Sequence, residues 1–149
     1  MSDIPQGLTR TMITICVIAG AAMVILDSTI AVIALPNMAA ALGATHDTVA
    51  WVLTSFVVAL AVATPLTGVA CDRFGRKRVA LAAITLFALA SALCGAANNL
   101  GEMVAFRIAQ GAAGAMLVPI AQSTLLDINP PERHGQAMGL FGSSVVIAP

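Results

Sequence analysis

Long apolar runs separated by short polar clusters set the pattern of this chain. The runs do not alternate apolar and polar positions, so they read as helices and not as barrel strands. The first extends from about Met12 to Leu35, enough to cross a hydrocarbon layer of about 30 Å. Pro36 and Asn37 are expected to end it. A polar connection through Gly43, Thr45, His46 and Asp47 leads to a second helix over about 49–71. Trp51 stands at its interfacial end, and Pro65 is expected to bend it. A third helix is predicted over about 79–97, closing at Asn98-Asn99, and a fourth over about 102–126 with Pro119 inside it. Asp127 to His134 reads as a polar loop containing Pro130-Pro131. A fifth segment starts near Gly135 and reaches Pro149; at about 15 residues it is short of a comfortable span.

Charge then gives these runs a direction. Four of the seven basic residues, Arg73, Arg76, Lys77 and Arg78, crowd between the second and third runs, with Asp72 among them. If the N-terminus is cytoplasmic, these four join Arg10 and Arg133 on one side, and the opposite turns carry only Asp47 and Glu102. That is the positive-inside arrangement. Residues 1–11 are accordingly read as a cytoplasmic N-terminus and 12–149 as part of a transmembrane bundle in the inner (plasma) membrane. The first run exceeds a signal-peptide core and holds Asp27, so it reads as a retained helix.

Composition agrees. Of the 149 residues 59% are hydrophobic and 9% charged, with mean hydropathy +0.96, against about 25% charged in soluble domains. The lipid bilayer is therefore the expected solvent. The formal net charge of zero makes no case for nucleic acid. Cys16, Cys71 and Cys94 lie in or at the ends of apolar runs and read as packing residues. His46 and His134 read as loop histidines. With no metal-ligand spacing, phosphate loop or nucleophile–base pair, no enzymatic chemistry, metal or cofactor is expected.

Two ionisable residues remain inside the apolar runs, Asp27 and Arg107. Asp27 falls roughly 12 Å below the outer end of its helix and Arg107 roughly 7–8 Å below the same surface. Both occupy the outer half, so they are expected to share one polar cavity, paired directly or through water. Burial and a neighbouring guanidinium are opposing influences on a carboxylate's proton affinity, which is what proton coupling needs. A structural lock between two helices is the other reading, and the sequence leaves both open. Along the fourth helix Arg107, Gly111, Gly114, Val118 and Gln122 form one stripe with Gln110 beside it. Gln110 and Gln122 suit a cavity wall, while Gly111 and Gly114 suit close helix packing. Ser143 and Ser144 are potential interhelical donors.

At these residues the chain resembles a known family. Gly68-x-x-x-Asp72-Arg73-x-Gly75-Arg76-Lys77-Arg78 is similar to the loop signature between the second and third helices of the major facilitator superfamily. Arg107-x-x-Gln110-Gly111 is similar to its fourth-helix motif. Leu26-Asp27-Ser28-Thr29-Ile30, then Ala34-Leu35-Pro36, resembles the first-helix signature of the fourteen-span drug:proton antiporters of EmrB/QacA type. Trp51 to Phe56 and Pro130 to Arg133 fit the same subgroup.

The resemblance implies an all-α membrane protein, the N-terminal part of a major facilitator fold with four transmembrane helices and the start of a fifth. It implies proton-coupled efflux of amphipathic, drug-like small molecules by the full-length form, with protons as the second partner and, in some members, a periplasmic adaptor protein. Gly68, Asp72, Arg73, Gly75, Arg76, Lys77 and Arg78 would form a gating motif whose charge contacts hold one access state. For the basic residues topology alone is a sufficient reading; Asp72 has no such role, because acids count little in orientation. Val32 stands where the subgroup usually has Asn, which bears on substrate type. The subgroup's fifth-helix glycine pairs would fall beyond Pro149. A non-transporting fragment or interaction subunit, and a metabolite uptake transporter, are the alternative readings.

The orientation is checked with a reporter fused after Asn98, which should read out as extracytoplasmic; a cytoplasmic readout refutes the positive-inside assignment.

Overall fold

A computed structural model describes residues 8–147, and expectations about the chain before Leu8 and about its last two residues fall outside them. All regular elements among the described residues are helical: α1 (Leu8–Ala41), α2 (His46–Val49), α3 (Trp51–Ala63), α4 (Leu66–Phe74), α5 (Arg76–Gly95), α6 (Leu100–Gly114), α7 (Leu117–Asp127), a short 3-10 turn (Pro131–Arg133) and α8 (His134–Ile147). Three helical stretches are long and apolar enough to cross a membrane, or four when the bent pair α3–α4 counts as one.

The α6–α7 stretch is the centre of the bundle. Half of its most apolar window is buried, against 22% for α1 and 28% for α5. α3 and α5 flank α6, and α1 lies along α7 with α8 beside it. Val24, Phe56, Ala83, Phe87, Ala113 and Leu117 from five helices form the middle of the core. Ala21, Ala121, Leu125, Ile128 and Phe141 fill one end, and Val49, Val52, Cys94 and Met103 the other. Large apolar side chains such as Ile15, Ile33, Val62 and Leu86 point outward. In water they would be a liability; against lipid they are the expected surface.

Several element ends differ from the sequence pattern, each for a physical reason. α1 runs on through Pro36 to Ala41. A proline removes one backbone donor, which a long apolar helix in a bilayer tolerates. The helix stops instead at Gly43, whose φ of +60° suits glycine and lets the Ala44 amide donate back to the Ala39 carbonyl. The basic stretch expected as a loop is helical on both sides. α4 extends to Phe74 and α5 starts at Arg76, with Gly75 (φ +84°) alone making the turn. The residues 127–134 are likewise not a loop throughout: Asp127 closes α7, and His134 opens α8.

Two helices break near one another. α3 and α4 meet at 56° across Thr64-Pro65, as Pro65 leads one to expect. The fourth run, expected as continuous, is interrupted at Ala115-Met116. Pro119 explains this, because its missing N–H would have served the carbonyl of residue i−4, Ala115. The buried Thr67 hydroxyl of α4 donates to that Ala115 carbonyl at 3.5 Å. A side chain of one broken helix thus serves the backbone group that the proline of the other leaves unserved.

Replacing Thr67 with Val keeps the shape and removes that donor. Stability in detergent should fall by about 0.6–1.7 kcal/mol, the range for interhelical hydrogen bonds in membranes. Thr64→Val should cost less, because the Thr64 hydroxyl donates only within its own helix, to Leu60. Equal losses would refute the assignment.

Candidate functional site

Asp27 lies on the stripe of α1 that buries Ala21, Val24 and Ala31. An apolar side chain there would extend the core; a carboxylate there needs partners. Ser28 and Thr29 do not provide them, since their hydroxyls donate to the Val24 and Ile25 carbonyls of the same helix. The partners come from α6. Arg107 Nη1 donates to Asp27 Oδ2 at 2.5 Å, and Gln110 Nε2 donates to Asp27 Oδ1 at 2.8 Å. Arg107 and Gln110 are three positions apart on one helical face, so a single helix presents both donors to the two carboxylate oxygens.

This ion pair is the buried one of the two among the described residues. The Arg107 side chain is 5% accessible and that of Asp27 16%, so the acid is the more reachable member. The guanidinium carbon lies 5.8 Å from the centroid of the Phe56 ring on α3, a cation–π distance. Gln110 is fully buried, and its Oε1 accepts a weak bond from Cys94 Sγ of α5 at 3.7 Å. The amide is thereby oriented with its nitrogen toward Asp27. Arg107 Nε is buried without a hydrogen-bond partner among the described residues. The pair therefore keeps one donor in reserve.

Gly111 permits this arrangement. A Cβ built there would sit 2.4 Å from the Phe56 carbonyl oxygen, so α3 and α6 could not approach as they do with any other residue. At Gly114 the corresponding contacts are 3.2 and 3.3 Å to the Phe87 ring, a tighter fit than usual but against a side chain. Gln122 is not brought to the cluster. It is exposed on α7, beyond the break at Ala115-Met116. Val32 is exposed too. Ser143 and Ser144 donate within α8, to Leu140.

The charged motif lies at the other end. From Asp72 to Arg78 every residue is exposed, and Gly68 opens into free space. Arg76 pairs with Asp127 at the end of α7, and Arg73 lies 5.7 Å from its neighbour Phe74's ring centroid. Asp72, Lys77 and Arg78 have no hydrogen bond or ion pair among the described residues. Sequence reasoning missed Asp127 as a partner. Three cations in the first turn of α5 oppose the helix dipole, and that is the signal that an acid had to stand nearby. It also missed Arg10, which donates to Asn129 Oδ1. His134 is not a loop histidine: it is half-buried, and its Nε2 lies 3.0 Å from the carbonyls of Leu126 and Asn129. Both carbonyls can only accept, so Nε2 carries the proton.

Residues 17–149 match the sequence profile described as Major Facilitator Superfamily. The chain is 40% identical over 144 residues to the multidrug export protein EmrB of Haemophilus influenzae, covering 97% of this chain and 28% of that protein. It is 41% identical over 143 residues to the probable multidrug resistance protein EmrY of Escherichia coli, covering 96% and 28%. It is also 41% identical over 144 residues to the fatty acid resistance protein FarB of Neisseria gonorrhoeae, covering 97% and 28%. The chain thus spans 28% of the length of each of these relatives.

The ion pair makes a stability prediction. Asp27→Ala leaves Arg107 buried without its counter-ion and should destabilise the bundle by about 3–5 kcal/mol. Adding Arg107→Leu should recover part of that loss. Unfolding of the single and double variants in detergent measures this, and strictly additive losses would show that the two groups are not coupled.

Proposed function

We propose, for a chain that belongs to the major facilitator superfamily, that it forms the first part of a proton-coupled exporter of amphipathic, drug-like compounds. The observation that carries this reading is the Asp27–Arg107 pair, buried among apolar helices with its carboxylate the more accessible partner. Intramembrane carboxylates are costly and are kept where they move ions or hold substrates. The names of the relatives, two for multidrug export or resistance and one for fatty acid resistance, support an amphipathic substrate.

In this proposal Asp27 is the proton-binding group. Ionised, it holds Arg107 and Gln110 and so ties α1 to α6. Protonated, it no longer balances the guanidinium, and the tie between the helices weakens. A substrate cation and a proton would compete for the same carboxylate, which is the condition for exchange. Gln110 keeps the carboxylate oriented, and Gly111 sets the helix separation. Access would alternate by rocking this bundle against a second one around a central cavity.

Gly68 and the stretch Asp72 to Arg78 are proposed as the gate at the cytoplasmic end, in the inner membrane. The Arg76–Asp127 pair there ties α5 to α7. Asp72 is free to make its contact with a part of the transporter outside this chain.

The test uses a full-length transporter carrying this chain, in inverted membrane vesicles loaded with a proton gradient and a fluorescent amphipathic cation. Asp27→Asn should reduce gradient-driven transport to the passive leak while counterflow exchange of substrate persists with a raised half-saturating concentration, because the cation loses its counter-ion. Asp72→Asn should slow both modes several-fold without changing the half-saturating concentration. Undiminished gradient-driven transport by Asp27→Asn would overturn the coupling role.

A further inference from the structure

We infer that the recess between the start of α1, the end of α7 and the start of α8 is a binding site for the phosphate group of an anionic membrane lipid. The recess encloses about 430 Å³ and brings Arg10, Arg133 and Gln136 together with the apolar Leu125, Ala137 and Leu140. None of the residues that line it is acidic.

The cationic side is built rather than incidental. Asn129 is buried, and its amide nitrogen donates to the Leu125 carbonyl at 2.7 Å. That leaves its Oδ1 for Arg10, whose Nη2 donates to it. His134 holds the Asn129 backbone from the other side, 3.0 Å from its carbonyl. One guanidinium is thus fixed at one nitrogen, with its other N–H groups left over. Arg133, three residues along the same connection as Pro130, is exposed and has no side-chain hydrogen bond or ion pair among the described residues. The other basic groups at this end of the bundle are differently placed: Arg76 is balanced by Asp127, and Arg73, Lys77 and Arg78 lie outside the recess.

Two guanidiniums and an amide are suited to phosphate oxygens, which guanidinium groups bind through paired N–H donors. The apolar flank selects the source. Leu140 is 60% exposed, and the apolar span of α1 begins directly after Arg10. The recess therefore sits where a glycerophospholipid changes from headgroup to acyl chain. A free phosphate ion would have no use for the exposed Leu140 at the rim. Basic pockets between helices on the cytoplasmic side are suited to such headgroups. Positive-inside topology requires arginines at this end, but it does not require one of them to be fixed by a buried amide beside an acid-free recess. This inference is independent of the transport proposal.

The test is native mass spectrometry of the purified chain in nonionic detergent, offered equal amounts of phosphatidylglycerol and phosphatidylcholine. The wild-type chain should retain phosphatidylglycerol preferentially. Arg133→Gln should weaken that preference about fivefold and Arg10→Gln/Arg133→Gln on the order of thirtyfold. Arg133 makes no structural bond, so its single variant reports on lipid even if loss of the Arg10–Asn129 bond disturbs folding; helicity by circular dichroism identifies that case. Lys77→Gln/Arg78→Gln, which removes two charges at the same end outside the recess, should leave the preference unchanged. The inference is overturned if Arg133→Gln binds phosphatidylglycerol as the wild type does. It is also overturned if the Lys77/Arg78 variant loses as much, which would mean diffuse surface charge, or if millimolar inorganic phosphate displaces the lipid, which would mean a free-phosphate site.

Discussion

A carboxylate and a guanidinium placed in an apolar bundle must find each other, and this requirement organises the structure. Neither Asp27 nor Arg107 could stay ionised alone at its depth without a large solvation cost. Together they fix which face of α1 meets which face of α6. Several neighbours then follow. Gln110 takes the second carboxylate oxygen, Phe56 covers the guanidinium, and Gly111 lets α3 come close enough for that ring to be there. Apolar packing alone would not specify this arrangement, because greasy helices in lipid gain little from one mutual rotation over another. A single polar pair removes that degeneracy.

In the proposed transporter the same pair would serve a structural role and a functional one. A buried ion pair is weak evidence for stability, since replacing both members by apolar groups is often neutral. Its value lies in being conditional. It holds only while the acid is ionised, and the acid is the more accessible member. The Nε of Arg107, without a partner among the described residues, is a further sign that the arrangement is not closed on itself.

Much of this was legible in the sequence because the bilayer simplifies the reading. Apolar length marked the helices. The depth of Asp27 and Arg107 below one surface was enough to anticipate their meeting. What could not be read were features that depend on neighbours distant in sequence. Pro119 was read as lying inside a continuous helix, and nothing local to it shows that Thr67, 48 residues from Ala115 in the chain, would serve the Ala115 carbonyl. Gln122 kept the helical spacing of the Arg107 stripe, but the break at Ala115-Met116 lies between them and Gln122 is exposed. Asp127 and His134 looked like loop residues because their partners, Arg76 and the end of α7, are defined only once the helices are packed. Pro36 misled in the opposite sense, since its effect in water is stronger than in lipid.

The two ends of the bundle are fastened by different means. At the end with Arg10, directional bonds run between helices: Arg10 to Asn129 joins α1 to the end of α7, and Arg76 to Asp127 joins α5 to it. At the other end the polar bonds are local: Thr45 caps α2, and Asn99 with Glu102 caps α6. Between helices that end relies on Val49, Val52, Cys94, Met103 and their apolar neighbours. Van der Waals contacts of this kind permit sliding, whereas a guanidinium bound to one amide or carboxylate permits only release. One rim is therefore fastened by discrete bonds, and the other only by the close fit of apolar side chains.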